Sequence, residues 1–352
     1  MDWQIAGHDW AARLLQQQLA RGETRHAYLF TGPPGVGRRT LALRLAQALN
    51  CLQPPEPGQF CGKCRACQQT AAMQFPDLTV VQSAQVGDEL KIDAIRALSH
   101  TLSLAPYAAR WRVALLLRFH EANANAQNAL LKTLEEAPPS AILLLTADSA
   151  EDLLPTISSR CEVVRLRPLG LDALTAYLTQ NHSLGAAEAR QLAQISAGRV
   201  GLAEQYLADP QAVQARVEQL DELWQMLCAP HRERFLYAKK IAPPSSKQER
   251  SLTRAALRGR FELWLSFWRD VLLQVNGAAA PLSNPDRAAE IAAVVGVVTP
   301  VQALRQVTAL EQAIDRLPGA NLQLLVEVLL LDWPRLPGGS ALASLPEMVA
   351  ED

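Results

Sequence analysis

The chain has 352 residues, 49% of them hydrophobic, which is more than one ordinary domain and suggests two or three. Its 34 Lys and Arg against 35 Asp and Glu give a formal net charge of -1, which excludes an overall basic field able to grip nucleic acid unaided, so any DNA contact must be local or shared with partners. No apolar run reaches the ~20 residues of a membrane span, and no basic segment followed by an apolar one opens the chain; a soluble, cytoplasmic protein without membrane contact is expected.

In chain order, His26 to Phe30 is a short apolar run suited to a buried strand, and Leu41 to Leu49 carries apolar residues at helical spacing. Between them lies Thr31-Gly32-Pro33-Pro34-Gly35-Val36-Gly37-Arg38-Arg39-Thr40. Strand, glycine loop and helix is the order a phosphate-binding loop needs, and Gly32, Gly35 and Gly37 have its spacing. A working loop reaches terminal phosphates with a lysine after the last glycine and holds magnesium with the next hydroxyl. Here Arg38 replaces the lysine and Arg39 the hydroxyl. Thr40 comes one residue late, which on a helix turns it about 100° away. The loop therefore reads as a nucleotide-binding scaffold without hydrolytic competence.

Four of the six cysteines follow, as Cys51 and then Cys61, Cys64 and Cys67 at two-residue gaps. Such gaps let thiolates converge on one tetrahedral ion, and Gly62 and Lys63 suit the turn between the first pair. Four sulfur ligands leave no open coordination position, so structural zinc is expected. Cys161 and Cys228 read as buried structural thiols.

Further strands are expected at Leu78 to Gln82, Arg112 to Phe119, Ala141 to Thr146 and Glu162 to Leu166, with helices at Asp93 to Ser103 and Asn125 to Glu136 between them. That alternation argues for a parallel sheet covered by helices. Metal-dependent phosphoryl chemistry also wants a carboxylate at a neighbouring strand end. The candidate strand runs into Leu117 and Arg118; a shifted register offers His120 and Glu121, still with a histidine at the metal position, so Glu121 reads as the cap of the next helix. Arg160, after Leu153 to Ser159, sits on a short element at the edge of the sheet. It could reach a neighbour's nucleotide, or simply pair with Glu151 or Asp152.

Beyond Arg167-Pro168-Leu169 the pattern is helical throughout. Leu171 to Gln180, Ala186 to Ser196 and Val200 to Leu207 form a small lid-like unit ending near Asp209-Pro210. Longer amphipathic stretches follow at Gln211 to Leu227, Leu252 to Val275, Pro300 to Leu317 and Asn321 to Leu331, with loops expected at Pro243 to Ser246 and Asn276-Gly277. Trp264 and Trp268, four residues apart, share a helix face and read as core. The tail from Pro337, rich in small residues, is expected to fray.

Gly32 to Thr40, the four-cysteine segment, Asn128-Ala129-Leu130-Leu131-Lys132-Thr133-Leu134-Glu135-Glu136-Ala137-Pro138 and Ser159-Arg160-Cys161 together resemble the bacterial DNA polymerase III clamp-loader ATPase family, of the AAA+ class. Ala320 to Glu327 looks like that family's last collar helix. The resemblance implies a P-loop α/β domain over 1–168 with a zinc module at 51–67. It also implies a helical lid over 169–208, an all-helical collar domain for oligomerisation over 209–336 and a flexible tail at 337–352. The family's gamma and tau motor subunits keep a complete ATP site, whereas delta prime subunits have often lost it and retain an arginine finger. Arg38, Arg39 and the missing acid near Leu117-Arg118 point to the delta prime type, as does the lack of a long extension after the collar. Gly201 stands where motor subunits have a nucleotide-sensing arginine, with Arg199 close enough to substitute.

By resemblance the chain would be a stator that hydrolyses no ATP itself. It would sit in a five-subunit ring with gamma or tau and delta, insert Arg160 into a neighbour's ATP site, and help load the sliding clamp on primed DNA as part of the polymerase III holoenzyme. An ATP-hydrolysing motor that uses an arginine loop is the alternative. A zinc-bearing nucleic-acid module contacting phosphate through Lys63 and Arg65 is a weaker one, because no aromatic residues interleave with a basic run.

Overall fold

The computed structural model describes residues 3–244 and 247–336; the expected fraying from Pro337 and part of the expected Pro243 to Ser246 loop lie outside them. The chain divides into two compact units, one up to Gln205 and the other from Tyr206 onward.

The first unit begins with α1 (Asp9–Arg21), β1 (Ala27–Thr31), α2 (Arg38–Asn50) and α3 (Arg65–Ala71). Then come β2 (Leu78–Val81), α4 (Ile92–Leu102), β3 (Arg112–Leu116), α5 (Ala124–Glu135), β4 (Ala141–Ala147), α6 (Pro155–Ser158) and β5 (Glu162–Arg165). The five strands form one parallel sheet in the order β2-β3-β4-β1-β5. Every residue of β1, β3 and β4 is buried, as expected of central parallel strands covered on both faces. Alternate residues divide between two cores. Tyr28, Phe30, Val113, Leu115, Ile142 and Leu144 pack with Leu41 and Leu45 of α2. Leu29, Ala114, Leu116, Leu143 and Leu145 pack with Ile95 and Leu98 of α4 and Leu130 and Leu134 of α5.

The five expected strands all form. The third is shorter than expected: β3 stops at Leu116, and Arg118 takes a left-handed φ of 51° before a 3-10 turn at Phe119–Glu121. A bulky residue in that conformation is strained and persists only where its surroundings hold it. Here its N–H donates to Thr146 Oγ1 at 2.8 Å.

Helices α7 (Leu171–His182), α8 (Ala186–Ile195) and α9 (Val200–Ala208) follow, and the division between the units falls within α9. The start of α9 meets the glycine loop directly, since Gly201 N–H donates to Gly35 O at 2.8 Å.

The second unit contains α10 (Pro210–Cys228), α11 (His231–Ile241), α12 (Lys247–Val275), α13 (Ala288–Val295), α14 (Pro300–Arg316) and α15 (Leu322–Leu331). Local sequence sets several boundaries. Asp209 caps α10 with Pro210 at its first position, Thr299 and Gln302 form a reciprocal capping box on α14, and Asn321 caps α15. Trp264 and Trp268 are fully buried and pack edge-on against Trp333, so they are core, as their spacing indicated.

Arg234 is also buried. Its Nε donates to Met226 O, one terminal nitrogen to Leu330 O and Trp333 O, and the other to Leu227 O and Pro334 O, at 2.8 to 3.2 Å. All five guanidinium N–H groups are thereby used on carbonyls near the C-terminal ends of α10 and α15.

Candidate functional site

Three of the clusters expected from sequence lie in the first unit. The glycine loop leaves the C-terminal end of β1 and enters α2, with φ of 141° at Gly32 and 105° at Gly37, values that only glycine adopts without strain. A side chain at Gly32 would also meet Leu166 O at 2.3 Å.

Arg38, at the lysine position, does not face an open phosphate site. Its guanidinium donates to Asp148 Oδ1 at 2.7 Å, and the two side chains are only 10% and 17% exposed. Asp148 sits just beyond β4, beside the loop, and its carbonyl accepts the Gly32 N–H at 3.0 Å. Asp148 N–H in turn donates to His120 Nδ1 at 3.3 Å, which leaves His120 Nε2 protonated, 3.7 Å from Asp148 Oδ2. Arg39 and Thr40 are exposed on the first turn of α2.

The loop is braced from two more sides. The buried His8 donates Nε2–H to Val36 O at 3.0 Å, and burial holds its pKa below the usual histidine value. A Cβ at Gly201 would lie 3.0 Å from Gly35 O, so an arginine could not stand there without displacing the loop backbone. Arg199 has its Nε engaged with Ser196 O at 3.0 Å.

Glu121 is not the helix cap that the sequence suggested. Asn123 caps α5, its side-chain oxygen accepting the Ala126 N–H at 2.8 Å. Glu121 instead accepts Arg118 Nε at 3.0 and 3.1 Å, the Gly87 N–H at 2.8 Å and the Ser83 hydroxyl. The reason is the turn at Arg118: the shortened strand brings its guanidinium back over Glu121, so both carboxylate oxygens are taken.

Arg160 follows α6, immediately before β5. It pairs with neither Glu151 nor Asp152. Its Nη2 lies 2.7 Å from Glu135 Oε1 at the end of α5, and its Nη1 donates to Thr156 O at 3.0 Å. The side chain is 37% exposed and borders an open depression with Gln18, Arg25, His26, Ser159 and Glu162. Because β5 runs parallel to β1, Arg160 lies at the opposite end of the sheet from the glycine loop. Four residues of strand at ~3.3 Å each put about 13 Å between those ends.

The cysteines converge as expected. The sulfurs of Cys51, Cys61, Cys64 and Cys67 all lie within 4.8 Å of one another, compatible with a tetrahedral ion whose ~2.3 Å bonds set sulfur separations of about 3.8 Å. Cys51 ends α2, Cys64 precedes α3 and Cys67 lies in its first turn, while Gly62 takes a left-handed φ of 70° in the knuckle.

The thiol chemistry also fits a cation. Backbone N–H groups of Cys64 and Lys63 bring the Cys61 thiol down to about 6, whereas burial pushes the thiols of Cys67 and Cys51 up. A positive ion at the centre would offset that burial and leave all four as thiolates. Trp3, with its indole N–H on Gly58 O, and Phe60, beneath the Arg44 guanidinium, fasten the module to the sheet unit. Cys161 and Cys228 are free thiols outside the cluster; burial raises both, Cys161 to about 12.

Sequence reasoning missed Asp148, Ser83, His8 and Glu135. Asp148 carried one usable signal, its place just past the C-terminal end of an expected central strand, where α/β sheets gather functional groups. Among the described residues no helix is long and apolar enough to cross a membrane.

The family model for DNA polymerase III, delta subunit, matches residues 7–170. Among curated relatives, DNA polymerase III subunit delta' of Pseudomonas aeruginosa is 38% identical over 154 residues, 44% of this chain and 47% of that protein. DNA polymerase III subunit tau of Escherichia coli is 33% identical over 170 residues, 48% of this chain and 26% of its own length. The matches thus span about half or less of these relatives. A DNA polymerase III gamma subunit-related protein from Thermotoga maritima aligns over 90% of this chain and 97% of its own at 20% identity, with a TM-score of 0.40. Over residues 7–170, therefore, the chain is similar to the DNA polymerase III delta-subunit family model and to the clamp-loader subunits delta' and tau, in agreement with the resemblance carried by its loop, cysteines and Ser159-Arg160-Cys161.

Proposed function

We propose that this chain is a delta-prime-type stator of the clamp loader: a subunit that hydrolyses no ATP itself and supplies Arg160 to the ATP site of an adjacent gamma or tau motor subunit. The observation that carries this reading is the placement of the two arginines. Arg38 is tied down by Asp148 within its own loop, while Arg160 stands exposed at the far end of the sheet, where it cannot reach that loop. A guanidinium so placed acts on another subunit's phosphates, neutralising charge as the phosphoryl group transfers. Asp148 and Glu121 each face an arginine instead of an open magnesium position.

In this reading the partners are gamma or tau and delta in a five-membered ring, which loads the sliding clamp on primed DNA in the cytoplasm. The second unit supplies the collar contacts. Its exposed Val301 and Leu304 on α14, and Leu324, Val328 and Leu331 on α15, repeat at helical spacing, as a face that packs on neighbours would. Cys51, Cys61, Cys64 and Cys67 hold zinc as a structural cross-link.

Titration of the isolated chain with magnesium-ATP, followed by a turnover assay, is the test. Absence of turnover alone, together with co-purification with motor and delta subunits, is the expected result. Sustained phosphate release that is lost in Arg38→Ala would establish the motor reading instead, the one toward which the tau relatives lean.

A further inference from the structure

The sequence reading assigned no role to Glu135, yet it holds the group on which the proposed function turns. Glu135 is the last residue of α5 and Glu136 its C-cap. Carboxylates are unfavourable at that end of a helix, where the backbone carbonyls already carry partial negative charge. The Arg160 guanidinium lies against Glu135 at 2.7 Å and offsets it.

Arg160 is gripped on both sides, with one N–H on Glu135 and one on Thr156 O of its own turn. A guanidinium has five N–H groups, so three stay available while the side chain is held in one orientation. A free arginine gives up rotamer freedom when it is fixed on a ligand, and one already held gives up less.

We propose that Glu135 is a positioning residue. It keeps Arg160 extended toward the adjacent subunit, so that the remaining N–H groups meet the terminal phosphate without a search. This rests on the stator reading above and adds to it the device that readies the finger. Both side chains are substantially exposed, at 37% and 51%, so the effect is bounded by what exposed ion pairs contribute, about two- to five-fold in rate.

The experiment uses the full chain assembled with its motor and delta subunits, the motor subunits' own fingers being changed to alanine so that DNA-stimulated ATPase reports the site served by Arg160. Glu135→Ala is expected to lower kcat two- to five-fold with KM for ATP unchanged. Glu135→Gln, which keeps an acceptor oxygen, should recover part of the loss, and Glu135→Ala should have no further effect once Arg160 is alanine. If Arg160→Ala abolishes the stimulated rate while Glu135→Ala equals or exceeds the wild type, the positioning role is overturned and the stator reading stands. A Glu135→Ala loss that persists in the Arg160→Ala background would mark general structural damage and likewise overturn it. If Arg160→Ala itself changes nothing, the stator reading fails and the inference goes with it.

Discussion

The two ends of the five-stranded sheet treat their arginines in opposite ways. At the C-terminal end Arg38 is enclosed, its charge answered by Asp148 just beyond the neighbouring strand and the surrounding loop pinned by His8 and Gly201. At the N-terminal end Arg160 is held by Glu135 but stays open to solvent. One guanidinium serves the chain's own architecture and the other is presented outward. The same ion-pair chemistry gives a closed site or an available one, depending on burial and on whether donors remain unused.

The sharpest way to break that contrast is Arg160→Ala. In the ring proposed above it should lower turnover at the adjacent motor subunit's site by on the order of 10³-fold or more, with folding and assembly intact by circular dichroism and gel filtration. A normal rate would remove the distinction between the two ends.

At the opposite end, Asp148→Ala should act on stability instead. It strands a largely buried guanidinium, which costs about 3 kcal/mol in chemical denaturation. The doubly substituted Arg38→Met, Asp148→Leu chain should recover much of the loss, because no unpaired charge is left behind. Failure of the double variant to recover would mean that the pair does more than neutralise itself.

Removal of the zinc proposed at the cysteines sharpens the comparison further, because the cysteine module and the glycine loop sit at the two ends of α2. Chelation, or Cys67→Ser, should release about one equivalent of metal and lower Tm by about 5 °C, equivalent to ~2 kcal/mol. Amide protection should be lost in α2 and α3 while α5 and α6 keep theirs.

The smallest effect expected is that of pH on His8. Its folded-state pKa lies below the unfolded value of about 6.5, so the unfolded chain binds more protons in that interval and stability declines as pH falls below 6.5. Denaturation at pH 7.5 and 6.0 should show this decline, and His8→Asn should flatten it.

The features legible in the sequence were those written in short spacings. The glycines, the cysteine gaps, the alternating strands and helices and the tryptophan pair each depend on residues within a few positions of one another, and the structure assembles them as read. What stayed hidden depends on distant pairing. Asp148 meets Arg38 across 110 residues, and Arg160 passes over nearby Glu151 and Asp152 to reach Glu135 on another element. The reading of Glu121 failed for a similar reason. A strained turn at Arg118, invisible in residue type, brought a guanidinium back over the carboxylate.

The buried Arg234 has a consequence of its own. Its five N–H groups are all taken by peptide oxygens, none of which gains or loses a proton across the range in which cells live, so acidity does not remove the acceptors of the clasp between the exit of α10 and the exit of α15. A lysine could satisfy at most three of those five oxygens and would be prone to shed its proton in so dry a place. The stretch from Leu330 to Pro334 therefore stays fastened to the end of α10 by a knot whose acceptors changes in acidity do not remove.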